Sequence, residues 1–202
     1  IPIVIGATTV LFLLGLSGKV YWWGGLIMLL GFGIYLAYLF IGAKKNNEDD
    51  ETEIKDMPIW KSIIFVVLGI ALIIFGSEFA VETATNLAKM AGWSDAFIGL
   101  TIVALGTSLP ELFTSVMAAI KKNPDIAIGN VVGSNIFNIL FIVGLSGLII
   151  PVPFAEAFRF DTIIALAAAI LLFLFALPKK RLSRVSGIVM LLAYLAYFIW
   201  IL

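Results

Sequence analysis

The feature that most constrains this chain is the recurrence of apolar runs of about 18 to 22 residues, each the length of helix that crosses a hydrocarbon core. Bounded by polar, Pro or Gly breaks, these runs cover residues 1–17, 21–42, 61–90, 96–120, 125–150, 161–178 and 185–202. A backbone inside lipid has no water to bond, and a helix satisfies its N–H and C=O groups internally. With 62% of residues hydrophobic and 13% charged, the pattern predicts an all-α, polytopic membrane protein of about seven transmembrane helices in a lipid bilayer. No charged leader precedes a short apolar core, so none of the runs reads as a removable signal peptide. Ile1 need not mark the natural start.

The chain has neither cysteine nor histidine. Thiolate metal sites are excluded and the commonest transition-metal ligand is missing, so an ion handled here is a hard, oxygen-seeking one. The net charge is zero, and no nucleic-acid partner is expected. The distribution of charge is more informative. With seven spans, one side of the membrane receives Lys44, Lys45, Lys55, Lys61, Lys121, Lys122, Lys179, Lys180, Arg181 and Arg184, and the other only Lys19, Lys89 and Arg159. By the positive-inside rule the richer side is cytoplasmic, which places the C-terminus outside.

Residues 44–58, KKNNEDDETEIKDMP, form the one clearly soluble stretch. Its charge and lack of apolar periodicity read as a solvated cytoplasmic linker over residues 43–60. A calcium-sensing loop of the EF-hand kind would need alternating acids and a central glycine that this stretch lacks. Around the linker lies a weak internal repeat. GLIMLL at 25–30 matches GIVMLL at 187–192, an offset of 162 residues that also aligns Tyr35 with Tyr197. Five crossings separate the matched spans, so the two copies would run through the membrane in opposite directions, the architecture of many secondary transporters. On that reading, residues 1–42 are the last two helices of a first inverted repeat whose beginning is absent, and 61–202 are a whole second repeat of five helices.

The chemistry concentrates in VALGTSLPELFTS, residues 103–115. On a straight helix Ala104, Thr107, Ser108 and Glu111 share a face, so a carbonyl, two hydroxyls and a carboxylate converge. Pro110 has no N–H and its ring collides with the Gly106 carbonyl, so a bend or break is expected there. Freed carbonyls in a membrane survive only where protein or a water-filled cavity receives them. A carboxylate at the bilayer centre costs about 2.5 to 3.5 kcal/mol on insertion scales, and no span core holds a basic residue to pair with Glu111. Both oddities are explained by one cation site.

The next span opens NPDIAIGNVVGSNIFNILF. Asn123, Pro124 and Asp125 read as N-cap, first-turn proline and dipole-matched acid. Gly129 and Gly133 form a G-x-x-x-G that reads as close helix packing, while Ser134 and Asn138, four apart, with Asn130 and Asn135, add further oxygens and amides. Glu78 and Glu82, near the end of the third span, read as solvated at the interface, or as an outer vestibule that attracts cations.

GTSLPE at 106–111, followed by GNVVGSNIFN at 129–138, closely resembles the alpha-repeat of the sodium/calcium exchanger branch of the cation/calcium antiporter superfamily, with the motif region at 76–150. The resemblance implies half of an inverted-repeat antiporter fold, not an enzyme, with transported calcium and sodium ions and no further cofactor. It makes Glu111 the central metal-binding carboxylate, with Thr107, Ser108, Ser134, Asn138 and the Ala104 carbonyl around it. Some members carry Asp where Asn138 stands, and the amide in its place lowers the negative charge of this site. One repeat hardly supplies the roughly six to eight oxygens that calcium takes. The expected partner is therefore the missing N-terminal repeat, or a second copy of the chain. Proton/cation exchange, a passive channel and a non-transporting membrane assembly subunit are the alternatives to sodium/calcium antiport across the cell membrane.

Overall fold

A computed structural model describes residues 1–46, 58–177 and 182–201. The helices are α1 (Pro2–Gly15), α2 (Trp22–Asn46), α3 (Ile59–Met90), α4 (Asp95–Ile98), α5 (Ala104–Thr107), α6 (Leu109–Ile120), α7 (Pro124–Ile136), α8 (Gly144–Ile149), α9 (Glu156–Ala176) and α10 (Arg184–Ile201). Two π-helical stretches are inserted among them, Gly99–Val103 before α5 and Phe137–Val143 between α7 and α8. The only β-structure among the described residues is a two-residue antiparallel ribbon of β1 (Lys19–Val20) on β2 (Val152–Pro153), with Lys19 opposite Pro153. Most of the expected linker, and Lys179, Lys180 and Arg181 after α9, lie outside the described residues.

The apolar runs and the helices coincide, but not all reach membrane length. Trp22–Lys44, Ile59–Met90, Pro124–Ile149 and Glu156–Ala176 are long and apolar enough to cross, and Thr101–Thr107 with Leu109–Ile120 makes a bent fifth. Pro2–Gly15 and Arg184–Trp200 are shorter apolar helices, so the described residues hold four or five qualifying spans against the seven expected. At about 1.5 Å per residue α1 is only about 21 Å long, because a turn at Gly18, with φ of 83°, leads directly into the ribbon. At the other end of α2, Ala43, Lys44 and Lys45 are good helix formers, and the helix runs to Asn46, past the expected boundary at 42.

Two compact units make up the chain: Ile1–Glu48 with Val132–Leu202, and Asp49–Val131. The first has its core at Val4, Ala7, Val20, Met28, Ile136, Leu140 and Phe154. One close backbone contact is glycine on glycine. A Cβ added to Gly25 would stand 2.5 Å from the Gly144 carbonyl oxygen and 2.7 Å from the Leu148 nitrogen, so only a hydrogen at that position lets α2 and α8 approach so closely. Further along α2, Phe32 packs edge-on to Phe137, ring centroids 5.7 Å apart, and tilted against Phe141 at 5.3 Å. Arg159 at the start of α9 donates to the Leu16 carbonyl at the end of α1 at 3.1 Å, a cation placed at a helix C-terminus. Between α9 and α10, the Tyr197 hydroxyl donates to Asp161 at 2.6 Å and Phe160 packs on Trp200.

In the second unit α3 packs against the π turn, α5 and α6. Its 32 residues would extend about 48 Å, well beyond a hydrocarbon core of about 30 Å, so it tilts or projects. Its end is a glycine-capped turn: Gly92 has φ of 81° and Trp93 N–H bonds back to the Ala88 carbonyl at 3.0 Å. Glu78 and Glu82 are exposed along it.

Gly25→Ala is expected to lower stability by about 1 to 3 kcal/mol through overpacking against backbone that cannot yield. Gly187→Ala, at the matching position of the internal repeat, meets no heavy atom within 4 Å among the described residues. Thermal unfolding of the two variants in one detergent should show a clear loss for the first and none for the second.

Candidate functional site

The candidate cation site is built around a helix that stops and restarts. After the π turn at Gly99–Val103, α5 runs to Thr107, and α6 begins at Leu109 at an angle of 51° to the Thr101–Thr107 segment. The hinge residue is Ser108, at φ −95° and ψ 0°, in the sparsely allowed bridge region. Its N–H turns back to the Leu105 carbonyl at 3.1 Å, and its carbonyl accepts the Leu112 N–H at 3.0 Å. The break thus falls two residues ahead of Pro110, whose ring sits in the first turn of the new helix, where no ladder N–H is needed. The physics is that expected of the proline, but the chain bends where the ladder is already weakest.

The bend changes the predicted ligand face. Ala104, Thr107, Ser108 and Glu111 do not share one straight helix. Ala104 and Thr107 close the upstream segment, Ser108 is the hinge, and Glu111 is the third residue of α6. Thr107 and Ser108 are exposed, whereas Glu111 is partly buried. Its Oε2 is buried with no hydrogen-bond partner among the described residues. Such an orphan is expensive away from water, and its position in the first turn places negative charge at the positive end of the helix dipole. Ser108 to Glu111 also fits the S-x-x-E spacing of a capping box. That box is not made: the α6 N-terminus has no side-chain cap bond, because Ser108 is helical rather than extended and its N–H is already used. The carboxylate is therefore left for another partner.

Gly106 allows α5 to lie against α3, since an added Cβ would collide with the Val81 side chain. From the other side, α7 is joined to α6 by a tight hairpin. Lys122 takes the left-handed conformation at φ 59°, the Asn123 N–H reaches the Ala118 carbonyl at 2.9 Å, and the Asn123 side chain caps Ile126 at 3.4 Å. Asn123, Pro124 and Asp125 thus begin α7 as anticipated. One turn further in, the Asn130 amide donates to the Glu111 main-chain carbonyl and to the Ser115 hydroxyl, both at 3.0 Å, and Ser115 Oγ lies 3.4 Å from the Ala127 carbonyl. Asn130 registered in the sequence only as one amide among several.

Ser134 and Asn138 belong to the first unit. Ser134 is partly buried on α7, and Asn138 is exposed in the π-helical stretch. The widened turn alters the simple four-residue spacing between them, a feature with no residue signature in the sequence and typical of functional positions. The described residues place no close neighbour at Gly129 or Gly133. A Cβ on either meets no heavy atom within 4 Å among the described residues, unlike one on Gly25 or Gly106. Among the described residues no three acidic side chains gather.

Residues 61–202 match the family model for sodium/calcium exchanger proteins. The chain belongs to the sodium/calcium exchanger family. It is 38% identical to CaxA of Alkalimonas amylolytica over 86% of this chain and 58% of that protein, and 41% identical to the sodium/calcium exchanger MaX1 of Methanosarcina acetivorans over 69% of this chain and 40% of that one. Its fold superposes on the sodium-calcium exchanger NCX_Mj, from crystals soaked with sodium and calcium, with a TM-score of 0.81 and 29% identity over 98% of this chain and 63% of that one. The chain therefore spans about half the length of the exchanger relatives it matches, and it has the all-α membrane fold of a transporter family rather than an enzyme.

Pro110→Ala is expected to let the ladder run on and open the 51° bend. Because the chain lacks cysteine, cysteines introduced for Val103 and Met117 can carry spin labels on either side of the hinge. The label-to-label distance should lengthen in the Pro110→Ala background, and an unchanged distance would assign the bend to Ser108 and its neighbours alone.

Proposed function

We propose that this chain is the C-terminal portion of a secondary antiporter that exchanges calcium for sodium across the cell membrane. The observation that carries the reading is Glu111: a carboxylate with a buried, unpartnered oxygen, in the first turn of a helix that restarts after a break. A cation supplies what that oxygen lacks. In the proposed site Glu111 is the charged ligand, and Thr107, Ser108, the Ala104 carbonyl, Ser134 and Asn138 are the neutral ones. Calcium and sodium would compete for the same carboxylate, so each is released when the other replaces it, and that competition couples their movements. The similarity to MaX1 and NCX_Mj, both named as sodium-calcium exchangers, supports the choice of ions.

The domain reading follows from the same proposal. Residues 1–42 are the last two helices of one inverted repeat, 43–60 a cytoplasmic acidic linker, and 61–202 the second repeat with its C-terminus outside. Since one repeat offers a single carboxylate, the remaining calcium oxygens come from the companion repeat, or from a second copy of the chain. The positive-inside bias fixes one orientation and works against two antiparallel copies, which favours the companion repeat.

Proteoliposomes loaded with sodium and diluted into sodium-free buffer containing calcium test this directly. Calcium uptake is expected when the companion repeat is supplied, and Glu111→Gln is expected to lower it by about tenfold or more, the effect of losing one charged ligand. Uptake by this chain alone would mean that two copies assemble the site. Uptake driven by a pH gradient without sodium would mean proton coupling, and no uptake in any arrangement would overturn the assignment.

A further inference from the structure

We propose that Asn130 is a positioning residue for the candidate cation site: its carboxamide holds the main chain of Glu111 and thereby sets the carboxylate's affinity for cations. The inference rests on the functional reading of Glu111 given above. Asn130 is not itself a ligand in that reading.

The argument begins with what restrains Glu111. It lies three residues after a hinge whose upstream and downstream segments diverge by 51°, so its position cannot be inherited from α5. It is also the residue after a proline, which contributes no N–H to the first turn of α6. A carboxylate placed there needs a support from outside its own helix, and the described residues supply one. Both donors of the Asn130 amide are used on α6, one on the Glu111 carbonyl and one on Ser115 Oγ, each at 3.0 Å. Glu111 and Ser115 are four apart, so a single planar amide spans one helical turn and fixes both the height and the rotation of α6 at the point where the carboxylate leaves it. The Ser115 hydroxyl in turn approaches the Ala127 carbonyl at 3.4 Å, which ties the same turn to α7 one step closer to the hairpin. The hairpin provides the leverage: with Lys122 in the left-handed conformation and α7 capped by Asn123, α6 and α7 leave one short turn, and Asn130 is where they are bonded again.

A residue with this task differs from general packing in a testable way. The Asn130 amide bonds the Glu111 main-chain carbonyl, whereas the Ser115 hydroxyl bonds Asn130 and the Ala127 carbonyl. Loss of either should cost stability, but only loss of Asn130 should free the carboxylate. The measurement is sodium-dependent calcium uptake by the full chain reconstituted with its companion repeat, giving half-saturating calcium and maximal rate separately, with thermal unfolding of the same preparations. Asn130→Leu, similar in volume and without donors, is expected to raise half-saturating calcium by about tenfold, the scale of one lost hydrogen bond. Ser115→Ala is expected to lower the unfolding temperature while leaving half-saturating calcium within about twofold of the parent. Asn130→Gln, which keeps the donors on a longer stem, should recover part of the affinity.

Equal shifts in half-saturating calcium for Asn130→Leu and Ser115→Ala would reduce Asn130 to a packing residue and overturn the proposal, as would no shift in either. Glu111→Gln in the same series separates the two levels of failure. If it abolishes uptake while Asn130→Leu does nothing, the site stands and the positioning role falls. If Glu111→Gln is itself without effect, the reading of Glu111 falls and the proposal for Asn130 with it.

Discussion

The structure depends on a constraint of the bilayer: a helix that breaks inside apolar surroundings must find partners for the backbone and side-chain groups it releases. The interruption at Ser108 meets that demand in part from within the chain. Its N–H folds back to the Leu105 carbonyl, its own carbonyl starts α6, and Pro110 removes one N–H from the balance. Left over is the Glu111 Oε2 atom, buried and unpartnered among the described residues. Other polar groups inside the helices are satisfied locally: the Thr8, Thr101 and Thr162 hydroxyls each bond to the carbonyl four residues back. Glu111 Oε2 is not, a condition it shares among the described residues with Arg159 Nε.

Around Glu111 the packing is arranged by small residues and hydrogen bonds rather than by bulk. Gly106 brings the upstream segment onto α3 at Val81, and the Asn130 amide brings α7 onto the first turn of α6. In the first unit Gly25 performs the same service between α2 and α8, and the Phe32, Phe137 and Phe141 rings pack beside the π-helical stretch that carries Asn138. Lipid exerts no hydrophobic pressure between helices, so close backbone approach and polar contacts carry their association.

Much of this was legible in the residues themselves. Runs of apolar residues at bilayer length mark the helices, Asn123-Pro124-Asp125 marks the start of α7, and Pro110 beside Glu111 marks a disturbed span. The pairing of GTSLPE with GNVVGSNIFN pointed to the sodium/calcium exchanger family, which the match over residues 61–202 bears out. Less legible were the points where two weak preferences compete. Proline can be accommodated either as a kink or as a first-turn residue, and here it is the latter, so the break moved to Ser108. The S-x-x-E spacing suits a capping box, yet the hinge conformation at Ser108 withholds it. G-x-x-x-G at 129–133 has the form of a packing seam, while among the described residues glycines that pack closely include Gly25 and Gly106.

Local chemistry determined which segments are helices, where α7 begins, and that a carboxylate would lie in an apolar stretch without a basic residue to neutralise it. Those properties depend on neighbours within a turn or two, which the order of residues specifies completely. Tertiary structure alone decided the 51° bend, the π-helical turns, the glycine that lets α2 meet α8, and the Asn130 amide that reaches Glu111 from 19 residues away. Each of these depends on which surfaces meet in space, and a side chain's spacing along the chain carries no record of the partner it will find.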